Sequence, residues 1–181
     1  PRGAGAIDIT KSLTENIKNV AAKMNRNVDE ITLVMLDRER HHGLMKEARD
    51  LGARIMLISD GDVNPAMECC IEGSGVHMVV GTGGAPEGVL AAAALKCVGG
   101  DMQARLKPET EEEIRRCHEM GITDVNQVLT LDDLVRTDDV IFAATAITRG
   151  NLLNAIQYFP GGARTHTIVM RSKTGTVRFL D

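Results

Sequence analysis

The sequence predicts an α/β fold: a mixed sheet with helices on both faces, parallel in its first half and antiparallel at its end. Three apolar runs of strand length, residues 31–36, 53–58 and 76–80, are each followed by a helical pattern. Such alternation is typical of a βαβαβ run, whose strands are parallel and whose crossovers are right-handed. Residues 165–171 and 176–180 have the pattern of a C-terminal antiparallel hairpin.

Composition places the chain among globular proteins with a sizeable core. The 181 residues are 43% hydrophobic, which predicts a single α/β domain over residues 1–181. The net charge of −4 and the lack of a basic stripe argue against nucleic-acid and membrane partners. Cys69, Cys70, Cys97 and Cys117 show no metal-binding or disulfide spacing, which favours reduced thiols and a cytoplasmic location.

Local signals predict the first elements. Ser12 and Glu15 form a capping box ahead of apolar residues at helical spacing. The run 31–36 is continuously apolar, as expected for a strand buried on both faces, and the run 53–58 predicts a second buried strand. Gly52 stands where a helix would end in the C′ position.

Later elements have weaker signals. Asn64 and Pro65 have the residue types of an N-cap and first helical position, for a short helix reaching residue 71. Thr110 and Glu113 form a second capping box. The remaining expectations are an extended piece at 101–106, a short strand at 128–129, a helical turn at 130–135, a buried strand at 140–146 and a helix at 151–156.

Polar loops follow the three predicted parallel strands. They are 37–40 (Asp-Arg-Glu-Arg), 59–62 (Ser-Asp-Gly-Asp) and 81–87 (Gly-Thr-Gly-Gly-Ala-Pro-Glu). Ligands of open α/β sheets bind at the carboxyl ends of the strands, and parallel strands end at one edge. We therefore expect two arginines, two aspartates, a glycine turn and a glutamate to converge.

The first two loops each have a functional and a structural interpretation. Arg38 and Arg40 suit a phosphate or carboxylate, but Arg38 could instead pair with Asp37 or Glu39 in a solvated loop. The carboxylates of the second loop suit sugar hydroxyls, but the loop could be a simple turn whose last aspartate caps the next helix. His41 and His42 are predicted to be solvent-exposed, and His77 to be a packed strand residue.

The third loop precedes an alanine-rich helix, an order that lets backbone N–H groups approach a phosphate. It is neither a Walker A loop nor a dinucleotide fingerprint, since Pro86 stands in place of the third glycine. Glu87 either interacts with the helix N-terminus or binds a divalent cation, Mn²⁺ or Mg²⁺, that also binds the phosphate. Such a site needs further acids, and no acidic cluster elsewhere in the sequence completes it.

Several segments resemble class II fructose-1,6-bisphosphatases, the bacterial type related to lithium-sensitive sugar and inositol phosphatases. They are GTGGAPEGVLAAAALKCVGGDMQARL, DRERHH, SDGDV, TDVNQVLTLDDLVRTDDVIFAATAITRGNLL and RTHTIVMRSKTGTVRFLD, in the family's order and spacing. The resemblance implies the C-terminal part of a longer phosphatase, with the N-terminal metal-binding domain outside this chain. The first residue, Pro1, is consistent with that interpretation.

The resemblance also implies roles for the loops. Glu87 would be the one metal ligand from this part, and Gly84 would contact substrate through its backbone. Substrate binding is further implied for Arg38, Glu39 and Arg40 at the sugar phosphate away from the metals, and for Asp60, Gly61 and Asp62 at the sugar hydroxyls. Glu39 departs from the family, in which many members have proline.

The implied reaction is metal-assisted hydrolysis of the 1-phosphate of fructose 1,6-bisphosphate to fructose 6-phosphate, in a homo-oligomer. We expect the isolated chain to be inactive, because it offers one metal carboxylate. Two alternatives stay open at this point. One is a non-catalytic sugar-phosphate or nucleotide-binding module, and the other is a dual fructose-1,6-/sedoheptulose-1,7-bisphosphatase.

Overall fold

Two three-stranded sheets carry the fold in the computed structural model, which describes residues 1–181. The parallel sheet has the order β2-β1-β3, and the antiparallel sheet has the order β10-β9-β6. The ten strands are β1 (Thr32–Leu36), β2 (Arg54–Ile58), β3 (Met78–Val79), β4 (Gln103–Ala104), β5 (Leu129–Thr130), β6 (Ile141–Thr145), β7 (Gln157–Phe159), β8 (Gly162–Arg164), β9 (Thr167–Arg171) and β10 (Thr176–Leu180). The predicted α/β class, its parallel first half and its terminal hairpin are confirmed, although the strands lie in separate sheets.

Six α-helices connect these strands. They are α1 (Leu13–Met24), α2 (His42–Asp50), α3 (Val63–Glu68), α4 (Ala85–Val98), α5 (Glu111–Glu119) and α6 (Leu131–Leu134), with 3₁₀ turns at Val28–Glu30 and Glu39–His41. None of these helices combines the length and the apolar character required to cross a membrane. The four cysteines form no disulfide.

The first core joins α1 and α2 to the parallel sheet. Ile17 and Val20 of α1 pack in one cluster with Leu33 and Met35 of β1. The capping box that starts α1 is present as predicted, since the Glu15 N–H donates to Ser12 Oγ at 3.1 Å and the Ser12 N–H donates back to the carboxylate at 3.3 Å. Local capping and an apolar helix face therefore work together here.

Position in the sheet decides how well each strand is buried. β1 is central, and Leu33, Val34 and Met35 are at most 1% exposed, which confirms the prediction for this strand. β2 has a neighbour on one side only, and its Met56 and Leu57 are 36% and 39% exposed. The prediction that residues 53–58 form a buried strand is therefore wrong in its burial.

The second core joins α4 to the antiparallel sheet. Ala94 and Cys97 of α4 pack with Phe142 of β6 and with Ile168 and Met170 of β9. The outward-facing residues of β6 remain exposed, because this sheet is covered on one face in this region. The prediction of a fully buried strand at 140–146 is therefore wrong, although the strand itself exists.

Three local predictions need correction. Residues 151–153 form bends and residues 154–156 have no regular structure, in place of the predicted helix, and the hairpin β7–β8 that follows them was not expected. α3 begins at Val63, so Asn64 lies inside its first turn and is not the N-cap. The Asn64 amide instead donates to Glu68 Oε1 at 2.8 Å. Asn64 therefore forms a hydrogen bond within α3 instead of capping the helix, which is the role that an asparagine at this point suggests.

Candidate functional site

The three polar loops lie at one edge of the parallel sheet. β1 pairs in parallel with β2 and with β3, so the carboxyl ends of all three strands point the same way. The Asp37 N–H donates to the Ile58 carbonyl at 2.8 Å and joins the first two strand ends directly. The convergence expected from the strand order is therefore present.

Arg38 connects the first loop to the second. Its Nη2 donates to the Ser59 carbonyl at 2.7 Å, and its Nη1 donates to the Asp37 carbonyl at 2.9 Å. It forms no ion pair with the carboxylate of Asp37 or Glu39. The pairing considered as the structural alternative is thus wrong, and the positive charge of the exposed guanidinium is left without a carboxylate partner.

Arg40 connects the first loop to the glycine turn. Both Nε and Nη2 donate to the Thr82 carbonyl, at 3.0 and 2.7 Å. Arg38 directly precedes the 3₁₀ turn Glu39–His41 and Arg40 lies within it, and each arginine reaches a different neighbouring loop. Like Arg38, Arg40 has backbone partners only, and its Nη1 makes no hydrogen bond.

His41 lies beneath this loop and is 1% exposed, so the prediction of a solvated side chain is wrong. Its Nδ1 is 2.9 Å from the Leu36 carbonyl, and its Nε2 is 2.8 Å from the Thr82 backbone nitrogen. A carbonyl only accepts and an N–H only donates, so the ring carries its proton on Nδ1. His42, the next residue, is exposed as predicted.

The second loop brings a carboxylate over the glycine turn. Gly61 has φ +84°, a conformation that favours glycine, and its N–H donates to Asp60 Oδ1 at 2.9 Å. Asp62 occupies the N-cap position of α3, but its side chain makes no capping hydrogen bond. A Cβ placed on Gly83 would lie 2.7 Å from Asp62 Oδ2, so the turn admits this carboxylate because it lacks a side chain.

Glu87 lies in the first turn of α4, with its carboxylate folded back over the helix start. Gly84 is the N-cap residue, and a Cβ there would overlap Glu87 Oε2. Any other residue at this position would have to displace the Glu87 carboxylate, although the φ of −70° is open to all residue types. Glu87 is exposed and forms no ion pair, which leaves its oxygens accessible.

These residues do not form a complete metal site. No group of three or more histidine, cysteine, aspartate or glutamate side chains in this chain is arranged to hold an ion. Mg²⁺ and Mn²⁺ prefer carboxylate and phosphate oxygens, so the Glu87 carboxylate has the right chemistry but lacks companions within the chain.

Comparison with known proteins adds a second kind of observation. The sequence model of the family described as "bacterial fructose-1,6-bisphosphatase, glpX-encoded" matches residues 1–181, the whole of the chain. The chain belongs to this family. The resemblance to class II fructose-1,6-bisphosphatases, found in segments across the chain, is thereby confirmed.

Curated relatives agree with the family match. The chain is similar to proteins named D-fructose 1,6-bisphosphatase class 2/sedoheptulose 1,7-bisphosphatase from Trichormus variabilis, Crocosphaera subtropica and Synechococcus elongatus, at 42%, 44% and 43% identity over 193 aligned residues. Each alignment covers 100% of the chain and 56% of the relative. The chain thus spans a little over half the length of these members of the family.

The structure adds two residues to this candidate site that sequence reasoning missed. His41 was assigned to solvent, and Thr82 was treated only as part of a glycine turn, yet each is bonded to the other loop. The sequence contains one signal for His41, because this residue directly follows Arg40 and therefore belongs to the same loop. Residue type alone did not show that the loop folds back over the end of β3.

Proposed function

We propose that this chain is the substrate-binding, C-terminal portion of a metal-dependent fructose-1,6-bisphosphatase that hydrolyses the 1-phosphate to give fructose 6-phosphate. The single observation that carries the proposal is the convergence of the three strand-end loops at one edge of the parallel sheet. Family membership supports it and implies a divalent metal requirement.

In this proposal the first loop binds the sugar phosphate that is not cleaved. Arg38 and Arg40 present guanidinium groups that no carboxylate neutralises, as phosphate recognition requires. Glu39 stands between them at the start of the 3₁₀ turn. Because a carboxylate repels phosphate, we assign Glu39 a contribution through its backbone alone.

The second and third loops would hold the sugar and the reacting end. Asp60 and Asp62 would accept hydrogen bonds from sugar hydroxyls, with Gly61 shaping the turn between them. Gly84 would contact substrate through its N–H, which has no partner within the chain. Asp62 already lies against the glycine turn, so these contacts would be made from adjacent positions.

Glu87 would hold one divalent cation, Mn²⁺ or Mg²⁺, with other ligands from an N-terminal metal-binding domain outside this chain. A bound divalent ion neutralises phosphate charge, activates water and stabilises the leaving oxygen. Because this chain has no group of three metal-ligating side chains, we propose that residues 1–181 alone are inactive. We also propose a homo-oligomer, for which exposed apolar residues such as Ile141 and Phe179 offer contact surface.

The decisive experiment uses the full-length protein, numbered as in this chain. Glu87→Gln removes the charge and keeps the shape. We expect the rate of fructose 1,6-bisphosphate hydrolysis with Mn²⁺ or Mg²⁺ to fall by more than about 100-fold. Mutation of a residue that only hydrogen-bonds a metal ligand already costs about 10- to 100-fold in metal affinity or activity. Glu111→Gln is the matched control, because Glu111, like Glu87, is an exposed glutamate in the first turn of a helix. An unchanged rate in Glu87→Gln would remove Glu87 from the metal site.

Two further outcomes test the rest of the proposal. Residues 1–181 alone should show no turnover with Mn²⁺, and full turnover would contradict the claim of an incomplete site. Metal-independent binding of the sugar phosphate by the full-length protein, without hydrolysis, would favour the non-catalytic binding module instead.

A second substrate is favoured by one observation. The relatives are named as both fructose 1,6- and sedoheptulose 1,7-bisphosphatases. The two sugars share a phosphorylated end and differ by one carbon, so loops that bind phosphate and hydroxyls would serve both. Measurement of kcat/KM for both substrates on one preparation would decide whether the protein is dual.

A further inference from the structure

We propose that His41 is a positioning residue for substrate binding, which holds the glycine turn against the end of β1 and so sets the positions of Arg40 and Gly84. This inference rests on the proposed function, because it assigns a task to a residue behind the same loops. We use the name His41 clip for two hydrogen bonds of the His41 ring, one donated to the Leu36 carbonyl and one accepted from the Thr82 N–H.

The His41 clip connects two strand ends that have no other direct bond at this level. Leu36 is the last residue of β1, and Thr82 lies three residues beyond the end of β3. The β1–β3 ladder itself pairs only Leu33 with Met78 and Val34 with Val79. The last backbone bond between the two strands is donated by the Val80 N–H to the Val34 carbonyl, at 3.1 Å. Beyond it, the bonds that join the glycine turn to the first loop come from the side chains of Arg40 and His41.

The clip requires a neutral imidazole with one particular tautomer. Nδ1–H donates to the Leu36 carbonyl, and Nε2 accepts the Thr82 N–H. An imidazolium has no acceptor, so it could not receive the Thr82 N–H. Because the ring is 1% exposed, water cannot replace either partner without opening the loop.

The backbone next to the ring is built around it. A Cβ on Gly81 would lie 3.0 Å from His41 Cε1 and 3.3 Å from Nε2, which is tighter than ordinary contact. Gly81 does not have a positive φ, so its lack of a side chain serves this approach and no special backbone conformation. Two observations, the bonds and the fit, therefore identify the same contact.

The clip also decides which amides of the turn can meet a ligand. The Thr82 N–H is taken by His41, and the Thr82 carbonyl is taken by both donors of Arg40. The N–H groups of Gly83 and Gly84 have no partner. A phosphate oxygen at this turn would therefore meet Gly83 and Gly84, and a displaced Thr82 would move both these amides and the Arg40 guanidinium.

The test compares two amide substitutions in the full-length protein. In His41→Asn the amide nitrogen occupies the place of Nδ1 and keeps the Leu36 bond, but nothing accepts from Thr82. In His41→Gln the amide oxygen reaches the place of Nε2 and keeps the Thr82 bond. Because the Thr82 N–H loses its acceptor, we expect KM for fructose 1,6-bisphosphate to rise about tenfold in His41→Asn, with kcat within about threefold. His41→Gln loses the Leu36 bond but still binds the Thr82 N–H, so we expect a smaller rise in KM, within about threefold.

A second readout does not depend on activity. Hydrogen exchange at the Thr82 amide should be about tenfold faster in His41→Asn and near the wild-type rate in His41→Gln. If the wild-type protein does not hydrolyse the substrate, the proposed function fails while this exchange measurement still tests the clip. Equal effects of the two variants on KM and exchange, or no effect of His41→Asn, would overturn the inference.

A third variant guards against loss of folding. If either histidine variant loses cooperative unfolding, Gly81→Ala replaces it in the test. This variant leaves the His41 ring intact and places the Cβ of residue 81 against His41 Cε1. We expect Gly81→Ala to raise KM and to speed Thr82 exchange in the same way. Wild-type values for both quantities in Gly81→Ala would contradict the close fit on which the inference depends.

Discussion

The parallel and antiparallel sheets use the same residue types for different purposes. In the antiparallel sheet Arg171 donates to both carboxylate oxygens of Asp139, at 2.7 and 2.6 Å, and this hydrogen-bonded pair lowers the pKa of Asp139. In the parallel sheet Arg38 and Arg40 donate only to backbone carbonyls. The paired Arg171 links the end of β9 to the segment before β6, whereas an arginine without a carboxylate partner retains its attraction for an anion.

Strand direction explains why only one sheet gathers polar loops. The ends of β1, β2 and β3 point to one edge, so three separate loops meet there. In the antiparallel sheet successive ends alternate between opposite edges, and β9 and β10 are joined by a short turn. Helix α4 belongs to both regions, with Glu87 at the polar edge and Ala94 and Cys97 in the second core.

The largest expected effect tests whether α4 makes these regions one folding unit. Ile17 and Ile168 are both 0% exposed, one in each core. Ile17→Ala and Ile168→Ala should each lower the free energy of unfolding by about 2–5 kcal/mol. Because α4 begins at the polar edge of the parallel sheet and packs in the second core, we expect a single transition in urea that shifts in both variants.

The control for this pair is Ile147→Ala, since Ile147 is 75% exposed. Its effect should stay within about 0.5 kcal/mol. Two separate transitions, with each core variant shifting only one of them, would show that the sheets unfold independently and would break the claim that α4 couples them.

The next effect contrasts two aspartates. Asp62 approaches the glycine turn of the polar edge, whereas Asp139 pairs with Arg171. In the full-length protein, Asp62→Asn should lower kcat/KM by about tenfold or more through weaker bonds to sugar hydroxyls, with little change in thermal stability. Asp139→Asn should leave kcat/KM unchanged and lower the unfolding midpoint slightly, because its ion pair is partly exposed.

A reversal of this pattern would contradict the division of roles. If Asp139→Asn lowered kcat/KM as strongly as Asp62→Asn, the antiparallel sheet would contribute to substrate binding. If Asp62→Asn changed only the unfolding midpoint, Asp62 would be a structural residue of the turn.

The smallest effect concerns pH. His77 precedes β3, and its Nδ1 accepts the Thr32 N–H at 3.0 Å. Burial lowers the pKa of His77 below 6.5, and the positive charges of Arg26 and Arg54 lower it further against the opposing effect of Glu30. The unfolded chain therefore takes up a proton near pH 6.5 before the folded chain does, so stability falls as the pH drops from 6.5 to the folded pKa.

His77→Asn isolates this contribution. The asparagine oxygen can still accept the Thr32 N–H but does not titrate in this range. We expect the free energy of unfolding to fall less steeply between about pH 7 and pH 5 in this variant than in the wild type. An identical slope in the two proteins would show that His77 does not contribute to the acid sensitivity of the parallel sheet.

Much of the fold could be predicted, because its signals are local. The capping boxes at Ser12 and Thr110, the glycine at the end of α2 and the terminal hairpin are as expected. Each depends on residues a few positions apart, whose types restrict the backbone directly. Residues 151–156 show the limit, since their helical composition did not prevent bends and a following hairpin.

The placement of the candidate loops was also predictable, whereas their internal contacts were not. Parallel strands require a shared edge, so convergence followed from strand order alone. The capping role considered for Asp62 and the carboxylate pairing considered for Arg38 were both wrong. In each case the side chain lies against a neighbouring loop whose position no local pattern specifies.

The amino-acid order alone therefore determined most of the helices and strands, the shared edge and the family resemblance, because these depend on periodicity and short spacings. The partners of Arg38, Arg40 and His41 were decided only by tertiary structure. Their bonds join residues 21, 42 and 41 positions apart in the chain. Such contacts exist only after the sheet has brought distant loops together. The same step buries His41, although the polar residues around it in the sequence predict a solvent-exposed side chain.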